Sequence, residues 1–179
     1  MAQRDTHDRL QREALRLFTE RGFDDVTVDE IAAAAGVSHM TFFRHFPTKE
    51  SVVLDDPFDP IVGEAVARQP ADHTPVQRIV GGIAEAAVDL DDAETFRARV
   101  RLAAHHPRLR ARIWENNNRT QEVISEALVS TGVDAFQAEV AAGSVLGALT
   151  AALMYWARNE GEDLQACVGL ALQQIAGRT

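Results

Sequence analysis

Apolar residues recur at intervals of three and four along most of the chain, which is the spacing of one face of an α-helix. In the first predicted helix, Leu10, Ala14, Leu17 and Phe18 share such a face. No alternating pattern of strand length is present, so the sequence predicts an all-α fold. Glycines that end helices, prolines that begin them and polar capping residues divide the chain into about nine helices. Their approximate ranges are residues 7–21, 28–35, 39–46, 49–68, 76–88, 93–104, 107–130, 135–158 and 163–175.

Two prolines interrupt the fourth predicted helix, in the sequence DDPFDP of residues 55–60. Proline lacks a backbone N–H and its ring clashes with the preceding turn, so it is poorly tolerated inside a helix. We therefore expect a break near Asp56–Asp59. The helix should restart with Pro60, because the fixed φ of proline suits the first helical position.

The segment TVDEIAAAAGVSHMTFFRHFPTKE, residues 27–50, predicts two short helices joined by a tight turn. Thr27 and Glu30 have the spacing of a capping box, in which each side chain bonds to the backbone amide of the other residue. Gly36 ends the first helix, since glycine adopts positive φ without steric cost. Ser38 caps the next helix. This arrangement is the helix-turn-helix unit, whose second helix enters the major groove of DNA.

This segment closely resembles the N-terminal DNA-binding domain of TetR-type transcriptional regulators. The matching residues are Thr27, Ile31, Ala32, Ala35-Gly36-Val37-Ser38, Thr41-Phe42-Phe43, His45-Phe46-Pro47 and Lys49-Glu50. The resemblance implies a three-helix DNA-binding domain over residues 1–50 and a helical effector-binding and dimerisation domain over residues 51–179. It also implies a repressor that binds a pseudo-palindromic operator in double-stranded DNA and is released by a small hydrophobic effector.

The resemblance assigns contacts with the phosphate backbone to two residues. Lys49, expected in the first turn of the fourth helix, matches the phosphate-contacting lysine of the family. The hydroxyl of Thr27, together with free amides at the start of the second helix, is expected to bind another phosphate. Phe43 stands where the family more often has tyrosine, so one phosphate hydrogen bond is in doubt.

Base recognition is expected from the first turn of the third helix, where such helices usually touch the bases. His39 can donate to or accept from a base edge, and Met40 can offer apolar contact to a thymine methyl group. Phe42 and Phe46 are predicted to be core residues. For His45, a solvated side chain without DNA contact is the alternative. The complete predicted DNA-binding set is Thr27, Ser38, His39, Met40, Thr41, Phe43, Arg44, His45 and Lys49.

Charge is compatible with a small DNA-binding surface. The formal net charge of −9 argues against general coating of nucleic acid. Residues 1–50 carry 7 basic and 9 acidic residues, whereas residues 51–179 carry 11 and 18. The acidity therefore lies mainly outside the predicted DNA-binding segment.

Redox and metal-binding roles are the alternatives for a few other side chains. The single cysteine, Cys167, excludes an internal disulfide and is predicted to fill space in the last helix, with a redox sensor as the alternative. The adjacent His105 and His106 point apart on a helix end, so a solvated turn is favoured over a metal site. No catalytic arrangement stands out, and no metal or cofactor is expected.

The polar N-terminus indicates a cytoplasmic protein, and the uncharged Val140–Ala157 run indicates a buried helix rather than a membrane span.

The last two predicted helices, residues 135–158 and 163–175, are the expected homodimer interface. The first of them is apolar on nearly every side and therefore has to be covered on more than one. Its small residues permit close helix–helix approach, and in the resembled family these two helices pair with those of a second subunit. A monomeric core is the alternative. The small residues are Ala141, Gly143, Gly147, Ala148 and Ala151.

A polar interruption in the apolar stripe of residues 107–130 suggests an effector site, because buried polar groups need partners. Asn117 and Gln121 are predicted to face this pocket, and the alternative is that they bond to neighbouring helices or face solvent. The apolar wall is predicted from Phe96, Val100, Trp114, Leu149 and Met154.

The segment LAAHHPRLRARIWE and the helices after it resemble the C-terminal domain of mycofactocin-system regulators. That resemblance implies a long-chain acyl thioester as a conceivable effector. Two other interpretations stay open: a helical small-molecule-binding protein or enzyme without a DNA role, and an activator or nucleoid-type DNA binder without an effector.

Overall fold

The computed structural model describes residues 2–54, 59–87 and 93–176. Within these ranges it contains ten α-helices and no strand, which confirms the predicted all-α class. One more helix is found than predicted because the predicted fourth helix corresponds to two described helices, one on either side of residues 55–58. The helices are α1 (Ala2–Arg21), α2 (Val28–Ala34), α3 (His39–His45), α4 (Ser51–Leu54), α5 (Asp59–Arg68), α6 (Pro75–Ala87), α7 (Ala93–His105), α8 (Pro107–Ser130), α9 (Ala135–Arg158) and α10 (Leu164–Ala176).

Two helix boundaries differ from the sequence prediction by more than one residue. The first helix begins at Ala2 rather than near His7, because a polar first turn carries no apolar signal. The fourth begins at Ser51 rather than Lys49, and Ser51 bonds with Thr48 in the turn before it. The predicted break falls largely on residues 55–58, which lie outside the described residues.

The helices pack as two compact units. Unit 1 comprises Met1–Asp55 with Ala93–Ile113, and unit 2 comprises Asp56–Asp92 with Trp114–Thr179. These packing units do not coincide with the predicted domain boundary at residue 50, because α7 and the beginning of α8 belong to unit 1. The functional division into residues 1–50 and 51–179 stays a prediction.

Unit 1 is organised around one apolar cluster in which α1, α2 and α3 meet. Phe42 and Phe46, one helical turn apart, are both fully buried there, as the sequence predicts. The four-residue helix α4 has its carbonyl groups satisfied from two other helices. Gln11 Nε2 donates to Val52 O at 3.0 Å, and Arg99 Nε donates to Val53 O at 2.8 Å. These bonds tie α4 to α1 and α7.

Unit 2 has its own apolar cluster, to which α5, α6, α8 and α9 contribute. Gly82 on α6 allows α5 to approach closely, since a Cβ atom there would lie only 2.7 Å from the backbone nitrogen of Val66. Helix α9 is long and apolar enough, by length and composition, to cross a membrane, but buried helices of soluble proteins meet the same criterion. Only 39% of its apolar window is buried within the chain, so much of its surface is uncovered.

Candidate nucleic-acid interface

The turn between α2 and α3 is built as the sequence predicts. Gly36 adopts a φ of 65°, and the amide of Val37 donates to the carbonyl of Ala32 at 2.9 Å. The Ser38 side chain then caps α3 by accepting from the amide of Thr41 at 3.1 Å. These local bonds set the direction in which α3 leaves the turn, and therefore which of its faces is buried.

The buried face of α3 leaves a continuous outer face for contact with a partner. Phe42 lies in the core, whereas Met40 is 77% exposed and Phe43 is 41% exposed. His39 and Arg44 are exposed too, and Thr41 is partly exposed. Uncovered methionine and phenylalanine side chains beside arginine and histidine suit a groove that offers both methyl groups and acceptors. The structure thus brings most of the predicted base-reading residues to one surface.

The side chain of His39 contacts two other residues, Asp29 and Phe43. Its Nδ1 atom lies 2.5 Å from Oδ1 of Asp29, in the first turn of α2. Its ring also packs against Phe43, with 4.8 Å between ring centroids. This pairing could not be predicted from the sequence, because ten positions separate the two residues and a turn lies between α2 and α3.

His45 contributes little positive charge to the surface. Burial lowers its pKa below the ordinary value, and the neighbouring charges of Arg44 and His7 lower it further. Its ring lies 6.3 Å from that of His7, which itself packs on Phe46. Near neutral pH, His45 is therefore better suited to a neutral hydrogen bond than to an ion pair with phosphate.

The hydrogen bonds of Thr27 form the N-terminal cap of α2. Its amide and its hydroxyl both donate to Oε2 of Glu30 at 2.8 Å, and Arg21 bonds to the other oxygen of that carboxylate at 2.7 Å. The Thr27 amide, and then Arg21, lower the pKa of Glu30 to about 2. A carboxylate so firmly ionised would repel a phosphate at the same place. The Thr27 hydroxyl would have to turn its hydrogen away from Glu30 to donate to a phosphate, and the predicted Thr27–phosphate contact stays a prediction.

Lys49 also occupies a position different from the one the sequence predicted. It lies in the turn before α4, and its ammonium group donates to the carbonyls of Phe23 at 2.6 Å and Val26 at 2.8 Å. The same group lies over the Phe23 ring, 4.4 Å from the centroid. Burial lowers the pKa of this ammonium group, and Asp24 and Glu50 oppose the shift. Lys49 therefore ties the α1–α2 loop to the turn before α4. Two of the three ammonium donors are used in these bonds, and the phosphate contact of Lys49 stays a prediction.

We expect Lys49→Met to lower the free energy of unfolding of unit 1 by about 1–2 kcal/mol, because two carbonyls lose charged hydrogen bonds that are partly exposed to solvent. Chemical denaturation followed by circular dichroism measures the change. Arg12→Met removes an exposed positive charge from α1 and is the matched control. Equal stability of the two variants would show that the Lys49 bonds contribute nothing beyond charge.

The predicted effector-site residues are not gathered in one place within either unit. Phe96 and Val100 belong to unit 1, and the other five belong to unit 2. Trp114 is 71% exposed, so it does not form a buried wall in the single chain. Asn117 Nδ2 donates to Thr150 Oγ1 at 2.8 Å, which is the alternative that the sequence left open. Gln121 lies beside Gly143 on α9.

Unit 2 contains a surface cleft of about 590 Å³ between the second half of α8 and the start of α9. Of the predicted effector residues, it includes only Gln121. Three carboxylates, Glu122, Glu126 and Glu139, also line it, so its chemistry does not suit an anionic ligand. The predicted apolar wall residues Leu149 and Met154 are partly buried elsewhere on α9.

The other candidate side chains have ordinary surroundings. His105 bonds to the carbonyl of Arg101 at 2.8 Å, whereas His106 approaches Asp24 at 3.3 Å, so the two rings have different partners. Cys167 is partly buried on α10, and burial followed by two nearby carboxylates raises the pKa of its thiol. A raised pKa keeps the thiol protonated and less reactive.

Both the N-terminal and the C-terminal part of the chain match known protein families. The family described as bacterial regulatory proteins, tetR family, matches residues 11–55. The MftR C-terminal domain matches residues 74–179. The chain is 31% identical over 141 residues to the HTH-type transcriptional regulator TcmR of Streptomyces glaucescens, which covers 73% of this chain and 62% of TcmR. It is 27% identical over 171 residues to the mycofactocin biosynthesis regulator MftR of Mycobacterium tuberculosis, covering 90% of this chain and 85% of MftR.

A solved structure supports the same fold. The chain matches the triclosan complex of SmeT, a repressor of a multidrug efflux pump of Stenotrophomonas maltophilia, with a TM-score of 0.61 at 19% identity. The match covers 95% of this chain and 89% of SmeT. Taken with the capped helix-turn-helix unit and the two matching domains, these comparisons show that the chain belongs to the TetR family of DNA-binding transcriptional regulators and carries a C-terminal domain of the MftR type.

Proposed function

We propose that this protein is a homodimeric, effector-responsive repressor that binds a pseudo-palindromic operator through the outer face of α3. The observation that carries the proposal is the division of α3 into two faces. Phe42 anchors the inner face in the core, while Met40, Phe43 and Arg44 are left uncovered on the outer face. A helix so fixed presents a constant surface to a duplex. The proposed location is the cytoplasm, where operator DNA is accessible.

Two copies are proposed because a single helix-turn-helix unit contacts too few base pairs for useful affinity. Helices α9 and α10 supply the proposed contact surface. Phe136 and Tyr155 on α9 and Leu170 on α10 are exposed, and no residue of the apolar helix α10 is fully buried within the chain. Pairing with a second copy would cover these side chains. The two reading helices should then lie about 34–36 Å apart, or a multiple of that distance, on one face of the DNA.

A small hydrophobic effector is proposed to bind within residues 51–179. The structure of the similar protein SmeT was solved as a complex with triclosan. The predicted lining of Phe96, Val100, Trp114, Asn117, Gln121, Leu149 and Met154 stays a prediction. Effector binding would favour a conformation in which the two reading helices no longer match the operator spacing, and so release the DNA.

The dimer is tested with Leu170→Glu, which places a charge in the proposed interface. We expect the wild-type protein to sediment as a dimer, and Leu170→Glu to sediment as a monomer that has lost most of its operator affinity. Analytical ultracentrifugation and fluorescence anisotropy on a labelled operator measure the two properties. Gln165→Glu adds the same charge at an exposed position of α10 and should change neither. The proposal would be contradicted by a wild-type protein that is a monomer in solution and binds the operator with the same affinity as Leu170→Glu.

A further inference from the structure

We propose that Asp29 is a positioning residue that fixes the neutral tautomer of His39, and that His39 thereby recognises an amino group of adenine or cytosine in the operator. The inference rests on the proposed function, because it requires the outer face of α3 to contact bases. It adds a residue from α2 to the recognition of sequence, and it specifies the hydrogen-bonding character of the base that is read.

The geometry determines which ring nitrogen carries the hydrogen. Nδ1 of His39 and Oδ1 of Asp29 are 2.5 Å apart, which is within hydrogen-bond distance. An ionised carboxylate can only accept, so the hydrogen between the two atoms belongs to Nδ1. In a neutral imidazole with hydrogen on Nδ1, the other nitrogen, Nε2, carries a lone pair and can only accept.

The surroundings of the ring hold this arrangement in place. Phe43 packs against the imidazole on the same helix, with ring centroids 4.8 Å apart and planes inclined by 57°. The side chain of His39 is 53% exposed, and that of Asp29 is 77% exposed. Within the part of the chain that the structure describes, Nε2 has no hydrogen-bond partner of its own. The ring is thus oriented from two sides and retains one free acceptor.

An acceptor at this position restricts the bases that can be read. In the major groove, adenine offers the N6 amino group and cytosine the N4 amino group as donors. Guanine offers only acceptors on its major-groove edge, as does thymine apart from its methyl group. A histidine without Asp29 would sample both tautomers and accept from or donate to any of them. The carboxylate therefore converts an ambiguous side chain into one that favours adenine or cytosine.

The mechanism is tested by selecting binding sites from a random duplex library at about pH 8, where imidazole is ordinarily neutral. Wild-type protein should enrich adenine or cytosine at one position of each half-site. In Asp29→Ala, that enrichment should fall about five- to tenfold, the effect of one lost base-edge hydrogen bond. Preferences elsewhere in the site should persist. Asp29→Asn, whose amide oxygen can still accept from Nδ1, should restore part of the preference.

Two controls separate this role from charge and from folding. Asp25→Ala removes an exposed carboxylate from the preceding loop and should leave the preference unchanged. In the His39→Ala background, Asp29→Ala should have no further effect on base preference, because Asp29 acts through His39. Thermal unfolding of each variant checks that the fold is intact.

Three outcomes would overturn the inference. In the first, Asp29→Ala raises the affinity for all sequences equally, as Asp25→Ala would, so that Asp29 acts only as a repulsive charge. Alternatively, its effect on base preference could persist in full without His39, which would make Asp29 a direct base contact. A wild-type protein that enriches a site without any preference for adenine or cytosine at a position sensitive to His39 would also refute it. A wild-type protein that enriches no site at all would contradict the proposed function itself.

Discussion

Replacing Phe42 with alanine is expected to lower the free energy of unfolding of unit 1 by about 3–5 kcal/mol, the cost of removing a large aromatic side chain from a packed core. Phe42 is fully buried, and its ring packs against Phe46 with 5.8 Å between centroids. Since domains are typically stable by only about 5–15 kcal/mol, a loss of this size would consume much of the total. Operator binding should fall with the population of folded protein.

The adjacent residue supplies the control. Phe43→Ala removes the same side chain from a position that is 41% exposed, so its expected cost is below about 1 kcal/mol. Chemical denaturation monitored by circular dichroism compares the two variants directly. If Phe43→Ala destabilised the protein as much as Phe42→Ala, the assignment of the inner and outer faces of α3 would be wrong.

The helix-turn-helix unit was predictable from sequence because its determinants are local. The capping box of Thr27 and Glu30 forms as predicted, with both reciprocal bonds present. Gly36 has the positive φ that its position required, and Ser38 caps the following helix. Each of these features depends on residues within three or four positions of one another, so pattern and spacing were sufficient to predict them.

The features that the sequence did not reveal depend on contacts between distant residues. Lys49 reaches back 26 and 23 positions to two carbonyls, and backbone acceptors leave no signature in a sequence. The same holds for Asp29 and His39, whose side chains meet only because the α2–α3 turn brings the two helix N-termini together. The inclusion of α7 in unit 1 is likewise a consequence of packing. Helical periodicity shows that a helix has an apolar face but does not show which partner covers it.

Placing a negative charge at the centre of the reading surface should have the largest effect on DNA binding. Met40 is 77% exposed, so glutamate at this position is expected to leave the fold intact. Facing the phosphates and base acceptors of the groove, that charge would be opposed by like charges at close range, which costs several kcal/mol. We expect Met40→Glu to weaken operator binding by at least about 100-fold, since the substitution acts twice in a dimer.

DNA binding by the outer face of α3 is tested most directly by comparing Met40→Glu with Met40→Gln in fluorescence anisotropy on the selected operator. Glutamine has nearly the same shape as glutamate and no charge. Both variants should unfold at the temperature of the wild-type protein. If α3 binds the operator, glutamate abolishes specific binding, whereas glutamine lowers the affinity by less than about tenfold. Operator affinity that is the same for the wild-type protein and Met40→Glu would contradict it, because α3 would then not be the surface that binds DNA.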